Sequence, residues 1–196
     1  MIDTLYTPFK FWSKKGSVYV IGDLHLASSF PNWPSPEYIL KKINSVVTPN
    51  DTLIVLGDIG KHEYIPRIAA NYKICILGNH DQVNKCKSVF DEVYNGPLFI
   101  ADKILLSHEP VFRLPFCVNI HGHVHIYDNR YASDLGDVNP CTDEFYRDIT
   151  GAKHINIAGN ICDFTPINLG GLIKKGALSD ILTIHQMTIK ERLINK

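Results

Sequence analysis

The residues Asn79, His80 and Asp81 follow directly on Ile74-Cys75-Ile76-Leu77-Gly78. An amide, an imidazole and a carboxylate placed together can ligate a metal or move a proton. The chain repeats this arrangement at four other places. Asp23 and His25 follow Val18–Gly22, Asp58 follows Leu53–Gly57, His108 follows Ile104–Ser107, and His121, His123 and His125 follow Val118–Ile120. Seven of these side chains form a candidate ligand set: Asp23, His25, Asp58, Asn79, His108, His123 and His125. Mixed carboxylate and imidazole donors suit Mn, Fe, Zn, Co or Ni better than Ca, which prefers oxygen alone. Seven donors exceed one tetrahedral site and match two divalent ions that share a carboxylate. Asp58, alone at the end of its run, is the expected bridge. Two such ions clamp a phosphoryl group and make a bridging hydroxide available near neutral pH. His80 is then the expected general acid for the departing alkoxide, with Asp81 expected to hold its ring.

The elements that must position these groups are strands. Each apolar run is short, rich in β-branched residues and bounded by turn residues, as a buried strand is. Ligand sites in α/β sheets lie at carboxyl ends of strands. Between the first two runs, residues 39, 40, 43, 46 and 47 are apolar at helical spacing, with Ser35 as the expected N-cap and Pro36 at the first helical position. Strand, helix and strand make a βαβ unit. Shorter helices are expected at His62–Ala70 and Gln82–Phe90. A hairpin is expected from Leu98–Ile100 and Ile104–Leu106, late strands at Lys153–Ala158 and Thr165–Leu169, and a C-terminal helix at Leu178–Ile194. The hairpin makes the sheet mixed. Ser28–Pro36, with Phe30 and Trp33, reads as a loop bordering the site, its aromatics packed on the body. Tyr127–Gly151 lacks periodicity, and a loop of that length is usually functional; substrate selectivity is expected there. Residues 1–17 carry Tyr6, Phe9, Phe11 and Trp12 and read as an edge hairpin or a packed arm.

Composition narrows the classes. At 196 residues the chain is expected to form one domain over 1–196. With 45% apolar and 20% charged residues it reads as globular rather than disordered. The formal net charge of zero argues against a general nucleic-acid coat, which needs a basic surface. Five cysteines without a CxxC pair fit reduced thiols and a cytoplasmic setting. Cys75 and Cys117 read as core residues. Met1–Gly16 has no apolar core of a secretory signal, and no run has the length of a membrane span. His62, His121, His154 and His185 read as surface or satisfied core histidines.

The series Asp23-x-His25, Gly57-Asp58, Gly78-Asn79-His80-Asp81, His108 and Gly122-His123-x-His125 resembles the calcineurin-like metallophosphoesterase superfamily. All five blocks stand in family order. The resemblance implies a four-layer α/β/β/α sandwich with two mixed β-sheets. It implies one metal on Asp23, His25, Asp58 and His125, another on Asp58, Asn79, His108 and His123, and His80 as the catalytic histidine, with Mn2+ as the leading cofactor. The arginine that the family's protein phosphatases carry after the second block is absent from Ile59-Gly60-Lys61-His62. The expected activity is hydrolysis of phosphodiester or phosphomonoester bonds in a small phosphate ester or nucleotide by a minimal, single-domain bacterial or phage-type phosphoesterase. A nuclease would need a basic track, for which Lys14, Lys15, Lys41 and Lys42 are the obvious residues. A non-catalytic binding scaffold on the same fold would be expected to have lost metal-site residues, and none is lost. The substrate, the native metal and the oligomeric state are not specified by these motifs.

Overall fold

A computed structural model describes residues 16–100, 103–124, 146–147 and 151–182, with 146–147 described in backbone alone. Among the described residues ten strands form two sheets. The first has the order β10-β1-β2-β3-β4, from Ile167–Asn168, Val18–Gly22, Thr52–Leu56, Tyr72–Ile76 and Glu92–Tyr94. The second has the order β5-β6-β7-β9-β8, from Leu98–Ile100, Ile104–Ser107, Val118–His121, Lys153–Asn156 and Tyr146–Arg147. Both are mixed, as the sequence suggested. In the first sheet β1 to β4 run parallel and β10 antiparallel; in the second β6, β7 and β9 run parallel between antiparallel edges.

Alternation along the strands builds two cores. In β2, Ile54 and Leu56 point to the second sheet and join Val20, Ile74, Ile76, Leu106, Ile120 and Ile155. Leu53 and Val55 point the other way, against Ile39 and Ile43 of helix α1 (Pro36–Asn44) and Cys86 of helix α2 (Val83–Lys87). A strand covered on both faces cannot alternate in polarity, which explains the unbroken apolar run. The order helix, sheet, sheet is therefore built by period-two packing. A helix layer over the second sheet is not among the described residues. No helix among them is long and apolar enough to cross a membrane.

Helix α1 begins as expected: the Ser35 hydroxyl accepts from the Tyr38 N–H at 3.3 Å, with Pro36 at the first position. The segment expected to be helical after His62 is instead a 3-10 turn, His62–Arg67, because Pro66 lacks the N–H an α-helix interior needs. Leu178 to Leu182 holds turns and irregular backbone rather than the start of a helix; the rest of that expected helix and the arm up to residue 15 lie outside the described residues. Short helix α3 spans Leu169–Lys174, so the late strand expected at Thr165–Leu169 shrinks to β10. Strand β4 was not anticipated, being three residues with a glutamate at its start. Nor was β8, set in the aperiodic stretch.

Asp51 ties the start of β2 to that of β1. Its carboxylate accepts from Ser17 N–H at 2.7 Å, Thr48 N–H at 2.8 Å and the Thr48 hydroxyl at 2.7 Å. Burial alone would raise its pKa; the Thr48 and Ser17 hydrogen bonds outweigh that and hold it below the usual aspartate value. A depressed folded pKa contributes stability that is complete above the unfolded value and lost as pH falls through the folded one. Urea midpoints should therefore drop between pH 5 and pH 3 by more in the parent than in Asp51→Asn. Equal drops would contradict this role.

Candidate metal centre

The site lies where the carboxyl ends of both sheets meet. Gly22 N–H donates to Ile157 O at 3.0 Å, bridging the sheets directly. Asp23 N–H donates to Gly57 O at 3.0 Å, and His25 N–H to Asp58 O at 2.8 Å, lacing the turns after β1 and β2 together. Asp23, His25, Asp58 and His123 have φ of 53°, 38°, 54° and 65°. Non-glycine residues in the left-handed region carry strain of about 1–3 kcal/mol each, retained where surroundings over-determine it, often at functional sites. Gly57, at φ 76°, lies so close to Gly78 that a Cβ would meet its Cα at 2.5 Å and His108 Nδ1 at 2.6 Å. That contact brings the turns bearing Asp58 and Asn79 side by side.

The side chains converge. Asp58 Oδ2 lies 3.5 Å from His25 Nε2 and 3.7 Å from His108 Nε2. His108 Nε2 lies 2.9 Å from Asn79 Oδ1 and 3.0 Å from His123 Nδ1. Asp23 Oδ2 accepts from His123 N–H at 2.7 Å. Ligand atoms of Asp23, Asp58 and His108 all lie within 4.8 Å of one another. Asp23, Asp58 and His108 are at most 5% exposed. His125 lies outside the described residues.

These groups fit a cation centre. His108 Nδ1 lies 2.9 Å from Leu56 O, so it carries the proton and donates it there. That leaves the lone pair of Nε2 pointed at Asn79 Oδ1 and His123, the way an outer partner fixes a metal-binding imidazole. Acceptors facing acceptors need a positive charge between them. Among the described residues no lysine or arginine pairs with Asp58; its basic neighbours are imidazoles. Desolvating carboxylates without a compensating cation would be costly.

His80 sits at the exposed mouth. Its N–H donates to Asp58 Oδ1 at 3.1 Å, and its ring lies 6.0 Å from that of His25. The expectation that Asp81 holds this ring is corrected. Asp81 Oδ2 accepts from Asp58 N–H and Gly78 N–H, both at 2.8 Å, and Oδ1 from Ile59 N–H at 3.0 Å. The carboxylate turns inward because those amides, stranded at two strand ends, need an acceptor. It positions the Asp58 and Asn79 turns and makes no hydrogen bond to the His80 ring.

Two positioning residues escaped the sequence reading. Asn119 accepts from Val111 N–H at 2.7 Å and donates to Ser107 Oγ at 2.8 Å, bracing the loop that carries His108. Asn156 donates to Val124 O at 2.8 Å, bracing the loop that carries His123. Asparagines inside buried strands, at β7 and β9, were the available signal, since buried amides must be bonded. His121, fully buried, donates Nδ1–H to Gly122 O at 2.9 Å; burial first of all pushes its pKa down to about 3. It is a neutral core histidine. His154 is likewise fully buried, beside Phe112, and His185 lies outside the described residues.

Phe30 and Trp33 pack edge-on against His25 at 5.2 and 5.5 Å, and Trp33 Nε1 donates to Leu24 O at 3.1 Å. The loop thus borders the site, with Trp33 anchored on the body. A cleft of about 450 Å³ opens beside Asn79 and His108, with Val83, Asn95, Pro97 and Glu109 in its walls. Lys42 is ion-paired with Asp163, Lys41 is exposed, and Lys14 and Lys15 lie outside the described residues.

Residues 16–188 match the calcineurin-like phosphoesterase family. The chain belongs to that family. Membership points to metal-dependent hydrolysis of phosphoesters, and the cluster above supplies candidate ligands. Among solved structures, this calcineurin-like chain is similar to the protein of unknown function AQ665 from Aquifex aeolicus, at 26% identity and a TM-score of 0.58, over 81% of this chain and 98% of that one. A single mutant of Vps29 from Entamoeba histolytica aligns at 16% identity and a TM-score of 0.40, over 72% of this chain and 73% of that one. No curated protein matches.

Proposed function

We propose that the chain hydrolyses phosphodiester or phosphomonoester bonds of small substrates, nucleotides among them. The observation that carries this reading is the convergence of acceptors from buried Asp23, Asp58 and His108 with those of Asn79 and His123, beside an exposed imidazole, His80. Asp23, His25 and Asp58, with His125, would hold one divalent cation; Asp58, Asn79, His108 and His123 would hold another. When bound, the pair, Mn2+ foremost, supplies hydroxide near neutral pH and offsets phosphate charge.

The protein's own groups do the rest. Leu56 O keeps the His108 lone pair aimed at the cluster. Asp81 fixes the turns that carry Asp58 and Asn79. Val83, Pro97, Asn95 and Glu109 border space for the organic part of the ester. His80, tethered by its N–H to Asp58 and open to solvent, donates a proton to the departing oxygen.

Replacing His80 with Ala should retain the metals and slow hydrolysis of an alkyl phosphodiester by about 10²–10⁴, the contribution of a general acid. The loss should be smaller on bis-p-nitrophenyl phosphate, because p-nitrophenolate departs without a proton. Equal fractional losses on both esters, or none on the alkyl ester, would refute the role.

A further inference from the structure

Behind the catalytic cluster lies a second group of donors. Ligand atoms of His62, Asp81 and Cys86 all lie within 4.8 Å of one another. We propose that these three form a separate site for a thiophilic cation, Zn2+ by its chemistry, that pins the two turns carrying Asp58 and Asn79, with solvent as the fourth ligand. The proposal does not depend on the phosphoesterase reading.

Three features point to it. His62 Nε2 stands 3.3 Å from Cys86 Sγ. Tetrahedral zinc, with its usual bond lengths to nitrogen and sulfur, separates those ligand atoms by about 3.5 Å. Asp81 Oδ1 accepts a single amide, from Ile59, and so retains one lone pair. The Cys86 thiol is fully buried. A thiol, an imidazole and a carboxylate form a donor set of the kind that selects zinc over magnesium or calcium.

The three residues come from three places: the turn after β2, the turn after β3, and α2. One ion would cross-link them. On binding, the Cys86 thiol releases its proton to solvent and becomes a thiolate ligand, so affinity rises with pH. No oxidation is involved. The effect on the catalytic turns is exerted through Asp81, which already holds three of their amides.

The test uses the full chain, kept reduced and loaded with Co2+. Thiolate-to-cobalt charge transfer gives a near-ultraviolet absorption that nitrogen and oxygen ligands do not give. The catalytic cluster offers only nitrogen and oxygen, so its ions are silent in that band. The expected result is a band that is kept in Asp58→Asn and lost in Cys86→Ser. Zn2+ affinity by competition should fall at least about tenfold in His62→Gln, as loss of a metal partner does. His62→Gln leaves the sulfur in place, so it decides the matter should Cys86→Ser fail to fold. No band in the parent, a band that survives in Cys86→Ser, or unchanged affinity in His62→Gln would each overturn the site.

Discussion

Asp58→Asn should leave the purified chain with neither catalytic metal and nearly no hydrolysis of any phosphate ester. Asp58 is the carboxylate with imidazoles on both sides, 3.5 Å from His25 and 3.7 Å from His108. An amide in its place keeps an oxygen but loses the charge that both ions would share. Losing an outer partner of a metal ligand typically costs roughly 10–100-fold; removing the shared ligand should exceed that. Metal content by atomic emission and the rate on bis-p-nitrophenyl phosphate should fall together. Full metal content in the variant would contradict the bridging role.

Asp81→Ala is expected to be the most destabilising single change near the site. It strands the N–H groups of Asp58, Ile59 and Gly78, which have no alternative acceptor in the described contacts. An orphaned buried amide costs about 1–3 kcal/mol, so the set should cost about 3–5 kcal/mol once partial solvation is allowed for. That is a large part of the 5–15 kcal/mol typical of a domain. Urea unfolding of the metal-free chain should show it, while His80→Ala, altering an exposed ring, should unfold as the parent does. A loss under about 1 kcal/mol for Asp81→Ala would mean that the turns find other support.

The division between what was legible and what was not follows from how each residue acts. Strands β1, β2 and β3 were readable because both faces are buried, leaving uninterrupted apolar runs that stop at a glycine. Helix α1 was readable from its cap and apolar spacing. Strand β4 was not, since three residues at a sheet edge carry too little pattern. After His62 a short helix was expected, but a single proline, Pro66, holds the segment to a 3-10 turn. In the site, the candidate ligands were legible because carboxylates and imidazoles follow directly on buried strands, where ligand sites of α/β sheets lie. The bracing is silent in the sequence: Asn119, Asn156 and Asp81 act on backbone groups whose need for a partner exists only once the turns are folded. Asp81, next to His80 in the chain, invited the reading of a ring-holding carboxylate. Sequence adjacency says nothing about direction, and the stranded amides claim it.

The most direct test of the account is anomalous diffraction from crystals of this chain grown with Mn2+. Two peaks should appear, both touching Asp58, one beside Asp23 and His25 and the other beside Asn79, His108 and His123. No peak in that cluster, or a single ion that leaves Asp58 untouched, would contradict it.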